Sequence, residues 1–145
     1  MEDIGVKTIV HGSPEYEAAV ALRSSALRRP LGLSFSADEL AAEADSHHVG
    51  CFVAGELVGC LVLKPMDVRQ IQMRQVVVDD RFKGRGIGRA MVKHSEDLAR
   101  KLGFKEMVLH ARETAVPFYE RLGYTRVGDR FTEITISHWV MVKAL

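Results

Sequence analysis

Cysteine is nearly missing from this chain of 145 residues: Cys51 and Cys60 are the only two, and they lack CxxC spacing. Two are too few for a disulfide framework or for a structural zinc site without several histidines beside them. Free cysteine is among the most often buried residue types, so both are expected as reduced thiols in the core. One geometry would bring them together. Were Gly55-Glu56 a two-residue hairpin turn, Cys51 and Cys60 would stand directly opposite each other on adjacent strands. Net charge is nearly missing too. Lys plus Arg number 20 and Asp plus Glu 19, a formal charge of +1, far from the basic footprint of a dedicated nucleic-acid binder. No apolar run approaches the roughly 18 to 20 residues that span a bilayer, and the chain opens on Met1, Glu2 and Asp3 instead of the basic start of a secretory leader. A cytoplasmic address with no membrane partner is therefore expected. With 4 prolines, 12 glycines, 47% hydrophobic and 27% charged residues, the composition suits one globular domain over 1–145.

The chain carries no repeat, low-complexity tract or linker, so its pattern can be followed as elements. Residues 4 to 10 alternate as a first strand, with Ile4, Val6, Thr8 and Val10 on one side. Ser13-Pro14 is an N-cap followed by proline at the first helical position, and Ala18, Ala19, Leu22 and Leu27 extend an apolar face to about Arg28. Ser36 and Glu39 have capping-box spacing and open a second helix to about Ala44. Runs 48–54 and 57–63 flank Ala54-Gly55-Glu56 as a hairpin, and a strand from Gln70 to Val78 follows. From Ile87, apolar residues recur at helical spacing to Leu102, with Gly103 as the stop. Lys105 to Ala111 reads as a strand and Ala115 to Leu122 as a short helix closed by Gly123. Tyr124 to Val127 and Ser137 to Val142 read as two last strands. The order is mixed α/β, with hairpins at both ends and one strand-helix-strand crossover between them.

The stretch from Asp79 to Arg89 sits between a strand and a helix and carries Gly84, Gly86 and Gly88 at alternate positions. Such glycines let main-chain N–H groups approach a ligand, and the helix start adds free donors and partial positive charge. Arg81, Lys83, Arg85 and Arg89 place four cations within nine residues. Together they describe an anion cradle. It is not a P-loop, because no Lys-Ser or Lys-Thr follows the glycines. Nor is it a dinucleotide fingerprint, since Arg89 stands where the third glycine would fall.

Taken with the segment from His110 to Tyr124, this turn resembles the GNAT superfamily of acetyl-CoA-dependent N-acetyltransferases. The acyl-CoA signature falls on Lys83, Gly86 and Gly88, with Lys83 in place of the usual Gln or Arg. The second signature is matched at Ala115, Phe118, Tyr119, Glu120, Arg121, Leu122, Gly123 and Tyr124, while Arg112 stands where many members have Asn. Phe131, Glu133, Ile136, His138 and Met141 resemble the closing segment of one poorly characterised subgroup, with Ser137 in place of its proline. Arg23, Arg28, Pro30-Leu31-Gly32 and the Glu43, Asp45 and His48 group resemble that subgroup's N-terminal half. The resemblance implies a single domain with a central mixed, largely antiparallel, twisted sheet flanked by helices, and a splayed strand pair at the CoA site.

It also implies direct acyl transfer from acetyl-CoA, a co-substrate, to a primary amine within a ternary complex, with no metal. Val76, Val77 and Val78 would bond the pantetheine arm, and a free N–H there would stabilise the oxyanion. The pyrophosphate would lie on the N–H groups of Lys83, Gly84, Arg85, Gly86, Ile87, Gly88 and Arg89. Tyr119 is the expected general acid for the departing thiolate. Glu133 and His138 lead as catalytic groups that deprotonate the amine, ahead of Asp45 and His48. His47 and His48, adjacent in sequence, do not converge on one ion, and His11, His94 and His110 are expected to be structural or surface residues. The acceptor is expected to be a small-molecule or peptide amine. A homodimer follows from the family alone. Two competing functions stand beside this one: a non-catalytic acyl-CoA-binding module, opposed by Tyr119, and a nucleic-acid binder, opposed by the small basic footprint.

Overall fold

The computed structural model describes residues 3–145. Among them are seven strands and four α-helices, with sheet order β1-β2-β3-β4-β5-β7-β6. The strands are β1 (Ile4–Ile9), β2 (His47–Val53), β3 (Glu56–Pro65), β4 (Gln70–Val78), β5 (Glu106–Arg112), β6 (Thr125–Glu133) and β7 (Ile136–Ala144). The helices are α1 (Pro14–Arg23), α2 (Ala37–Ala42), α3 (Ile87–Lys101) and α4 (Val116–Arg121). Contacts gather the chain into two compact units. One holds the chain up to Lys64 with Gln75–Ser95, and the other holds Pro65–Arg74 with Glu96–Leu145. Strand β4 and helix α3 each contribute residues to both.

In the first unit, β1, β2 and β3 pair antiparallel. Helix α1 starts as its capping pattern requires: Ser13 Oγ accepts from the Tyr16 N–H at 3.1 Å, with Pro14 in the first turn. The regular helix ends at Arg23, short of the expected Arg28. Residues Ser24–Arg28 form a wider π turn, and Arg29–Leu31 a 3₁₀ turn closed by Gly32. Pro30 explains the change, because its ring would clash with the carbonyl four residues back in an α-helix. Helix α2 has both halves of its capping box, Glu39 N–H to Ser36 Oγ (3.1 Å) and Ser36 N–H to Glu39 Oε1 (3.3 Å).

The β2–β3 hairpin turns on Ala54 and Gly55, one residue earlier than a Gly55-Glu56 turn. A register shift after Cys51 then aligns Cys51 with Gly59 and Gly50 with Cys60. The cysteines are therefore not opposite each other, and the pleat turns their side chains to opposite faces. Both are buried and free. Cys60 packs with Ile9, Tyr16 and Ala19 beneath α1. On the other face, a Cβ built on Gly59 would lie 3.0 Å from Met91 Cε and 3.1 Å from Ile87 Cγ2. The missing side chain at Gly59 lets the first turns of α3 sit close on β3.

In the second unit, β4 and β5 run parallel, the single crossover expected between them being α3. Their ladder covers Gln70–Met73 and Glu106–Leu109, whereas β4 continues to Val78 and β5 to Arg112. Strand β7 pairs antiparallel with β5 along seven residues and with β6 on its other side. Both last strands are longer than expected. An irregularity between Val127 and Phe131, holding Gly128 at φ 71°, bends β6 without ending it. The hairpin turns on Ile134 and Thr135, at φ 49° and 62°, residues that carry no turn signal. One face of β5 buries Met107, Leu109 and Ala111. There Glu96 of α3 accepts from the Tyr124 hydroxyl (2.8 Å) and from Lys143 Nζ (3.0 Å), which also donates to the Leu122 carbonyl (2.8 Å).

Candidate active site

The segment after β4 is shaped by its own side chains. Asp79 Oδ1 accepts from the Arg81 N–H at 3.0 Å and starts a 3₁₀ turn, Asp80–Phe82. The Asp79 N–H is tied to the Val58 carbonyl of β3 at 2.8 Å. Gly84 and Gly86 then adopt φ 78° and 79°, the left-handed region that side chains resist, and space is open where a Cβ would stand. Helix α3 begins at once, the Ala90 N–H returning to the Gly86 carbonyl at 3.0 Å. The amides before it, at Ile87, Gly88 and Arg89, belong to the first turn and have no intrahelical acceptor. No acidic residue lies in that turn. The turn has the geometry of a main-chain anion cradle, with the positive end of the helix dipole behind it.

The cations are less available than their number suggests. The Arg81 guanidinium is bound to Asp79 (3.0 Å) and Glu56 (2.5 Å), and Lys83 pairs with Asp80 at 2.7 Å. Arg85 lies over the Phe82 ring, 5.0 Å from its centroid. Arg89 is exposed on the first turn of α3.

Val76, Val77 and Val78 form the last residues of β4, and Val77 is buried. Just before them, Gln75 has φ 53°, unusual within a strand. Its side chain is held from below. Arg23, 1% exposed, donates from Nε to Gln75 Oε1 (2.8 Å) and from both terminal nitrogens to the Glu43 carboxylate (2.9 and 2.5 Å). The Tyr16 hydroxyl donates to Glu43 Oε1 (2.7 Å), and His48 Nε2 bonds the Glu43 carbonyl (2.9 Å). Burial and the neighbouring Glu43 push the Tyr16 phenol up to about 12. Burial holds the His48 ring below its ordinary value, that is, neutral. Glu43 and His48, noticed in the sequence only through resemblance, are thus parts of a buried polar network that fixes the approach to Val76.

In the second unit, Glu133 and His138 come together and bring His110 with them. Register places Phe131 opposite His138, His138 opposite Arg112, and His110 opposite Val140, so all project from one face of β5, β7 and β6. Glu133 Oε2 lies 3.3 Å from His110 Nδ1 and 3.9 Å from His138 Nε2. His138 Nδ1 is 2.7 Å from the Ile136 carbonyl. Phe131 stacks on His138 and meets His110 edge-on, at 5.8 and 5.2 Å. His110, expected to be structural or surface, is the residue missed. Its signal was alternation: it lies between buried Leu109 and Ala111 and so points to the opposite face.

Tyr119 is buried on α4 against Phe118 and Tyr124, with ring centroids 5.0 and 5.8 Å away. Its hydroxyl has no hydrogen bond among the described residues, and burial pushes its pKa up to about 12. Asp45 is exposed at the end of the 3₁₀ turn Glu43–Asp45. Among the described residues no group of three or more His, Cys, Asp or Glu is arranged to hold a metal, and no helix is long and apolar enough to cross a membrane.

Solved structures share this fold. A solved acyl-CoA N-acyltransferase from Pseudomonas aeruginosa superposes with TM-score 0.79 and 22% identity, over 99% of this chain and 100% of that one. An aminoglycoside 6'-N-acetyltransferase complexed with coenzyme A gives TM-score 0.82 and 18% identity over 97% and 96%. Residues 16–124 match the acetyltransferase (GNAT) family, and the chain belongs to that family. In sequence it is 33% identical over 98 residues to N-acetyltransferase family 8 member 3 of Rattus norvegicus, an alignment covering 59% of this chain and 43% of the rat protein. The chain spans about two-fifths of the length of the first curated relatives it matches.

Proposed function

We propose that this chain is an N-acetyltransferase that moves an acetyl group from acetyl-CoA directly to a primary amine within a ternary complex. The observation that carries this is the pair of left-handed glycines, Gly84 and Gly86, leading straight into the first turn of α3, whose Ile87, Gly88 and Arg89 amides have no intrahelical acceptor, in a chain of the acetyltransferase (GNAT) family. A pyrophosphate is bound there by main-chain N–H groups and the helix dipole, with the residues from Lys83 to Arg89 around it. Val76, Val77 and Val78 supply the amides that bond the pantetheine arm, one of them stabilising the oxyanion. The amine loses a proton to the Glu133 and His138 pair and its nitrogen attacks the thioester carbon. The C–N bond forms and the C–S bond breaks. Tyr119 donates its proton to the departing thiolate, and the amide nitrogen releases its second proton. The overall change is ammonium plus acetyl-CoA to acetamide, CoA thiol and one proton. The acceptor is a small-molecule or peptide amine, and the reaction needs no metal.

The test is release of CoA thiol from acetyl-CoA across an amine panel, with initial velocities measured against both substrates. Amine-dependent release with intersecting reciprocal plots is expected. Parallel plots would exclude direct transfer, and binding of acetyl-CoA without release for any amine would leave a binding module.

A further inference from the structure

We propose that Arg74 and Arg112 form a subsite for an oxyanion carried by the acceptor, so that the amines acetylated are compact zwitterions, amino acids or their phosphonate counterparts. The proposal rests on the acetyl-transfer reading above for the use of the subsite, not for its affinity for anions.

Among the described residues, the lysines and arginines that are at least partly buried are Arg23, Arg28, Arg74, Arg112 and Lys143. Taking charge out of water is costly unless a partner is supplied. Arg23 has Glu43, Arg28 has Glu39 and Lys143 has Glu96. Arg74 and Arg112 have neither an ion pair nor a hydrogen bond among the described residues. The acids around them are engaged elsewhere: Glu106 with Arg69 and Gln70, Glu113 with Arg130, and Glu133 with His110. No fully buried side-chain nitrogen lacks a partner, so both guanidinium groups remain open to a ligand from solvent.

The two stand on one face of the sheet. In β4, Ile71 and Met73 are buried, so Gln72 and Arg74 turn the other way. The parallel ladder sets Gln72 beside Val108 and Met73 beside Leu109, which puts Arg74 on the face of Val108, His110 and Arg112. Arg112 lies opposite His138, and His138 opposite Phe131. Arg74 is one residue past the last paired position, at the level of His110, and Arg112 is two residues further along β5. With strands about 4.8 Å apart and about 3.3 Å per residue, their Cα atoms lie roughly 8 Å apart, close enough for two arginine side chains to close on one group.

This face therefore carries charge of both signs. Glu133 and His138 serve the amine in the reaction proposed above, and two cations without a counter-ion stand beside them. An oxyanion supplies what the arginines lack, because their forked N–H groups meet two oxygens of a carboxylate or phosphate at once. Arg112 is directly across from His138, so the two ends of the ligand are a few bonds apart, as in an amino acid. A polyamine would instead bring a second positive charge against the arginines.

The test needs no acetyl-CoA. The arginine Nε–H resonances of the full chain are followed while 3-aminopropanoate, 3-aminopropylphosphonate or the neutral-ended 3-aminopropanamide is titrated in. Either oxyanion is expected to bind about tenfold or more tighter than the amide, as charge-assisted hydrogen bonds allow, and the tighter of the two names the acid. Arg74→Gln and Arg112→Gln should each cut that preference severalfold, and Arg112→Lys, which keeps the charge without the fork, should retain part of it. Equal binding of all three ligands by the wild type, or an unchanged preference when both arginines are replaced by glutamine, overturns the subsite. If a glutamine variant does not fold, the wild-type comparison decides alone. Coenzyme A is then added to saturation. Acid binding that persists keeps the arginines with the acceptor, whereas its loss assigns them to the phosphates of coenzyme A and overturns the proposal. Acid-selective binding without thiol release from any amine sinks acetyl transfer and leaves the subsite. Thiol release with no preference for acids does the reverse.

Discussion

Replacing Glu43 with alanine tests the buried network most directly. Arg23 would keep Gln75 Oε1 and the Phe35 ring at 4.7 Å but lose both carboxylate bonds, while remaining about as buried as its present 1% exposure. Removing one partner of a buried ion pair destabilises by about 3–5 kcal/mol, since the other charge is stranded. The Glu43 side chain is 14% exposed, so water can reach the vacated space and the low end applies, about 3 kcal/mol. For a chain of this size that is a fall in Tm of roughly 6–12 °C. Urea unfolding at unchanged slope measures the same quantity. A loss under about 1 kcal/mol would class the pair with exposed ion pairs and refute the reasoning. The acid side gives a second check. Burial alone would raise the Glu43 carboxyl, but the Arg23 and Tyr16 hydrogen bonds hold it below its ordinary value. Its contribution is therefore present at neutral pH and fades as pH falls from about 4.3 toward the folded value. Glu43→Ala should flatten that part of the acid decline. The part below about 6.5, where the unfolded chain protonates His48 first, has a separate origin in the neutral folded ring.

Tyr119→Phe should lower kcat about 10²-fold while the melting temperature changes little; unchanged turnover across the pH range would remove Tyr119 from the chemistry. Because its phenol is pushed up to about 12, it remains protonated through neutral and mildly alkaline solution, and wild-type kcat should show no alkaline loss from this group below about pH 10. Gly86→Ala forces a side chain into φ 79°, at about 1–2 kcal/mol, and should weaken acetyl-CoA binding about tenfold by calorimetry; unchanged affinity would take the loop out of phosphate binding. A thiol reagent should label neither cysteine in the native protein and both after unfolding, because burial pushes Cys51 up and Cys60 up to about 12. Rapid native labelling of either would contradict that burial.

Local signals carried the elements whose cause is local. The Ser36–Glu39 box, the Ser13-Pro14 start, the Gly103 and Gly123 stops and the Gln70 to Val78 strand are all present. Misses occurred where the cause lies on another strand. The offset of the cysteines depends on a bulge set by pairing with β3, and the length of β6 on resumed pairing after Gly128. The turn at Ile134-Thr135 has no glycine or asparagine to announce it. Glu133 and His138 were legible through resemblance. His110 joins them only when the β5–β7 and β6–β7 registers are known together, because no spacing within one strand implies a contact across three. Arg23 is similar: named through resemblance alone, it has nothing local to show that Glu43 and Gln75, twenty and fifty-two positions away, close over it.

The pairing of Arg81 with Asp79 and Glu56, and of Lys83 with Asp80, bears on what the loop attracts from a distance. Two of its four cations are neutralised in place, so much of its pull on an anion comes from oriented peptide dipoles. The field of a dipole dies away faster with distance than that of a bare charge. A loop built this way grips a phosphate that arrives at contact and draws in few polyanions from afar. That short reach leaves distant polyanions, nucleic acid among them, weakly drawn to the loop.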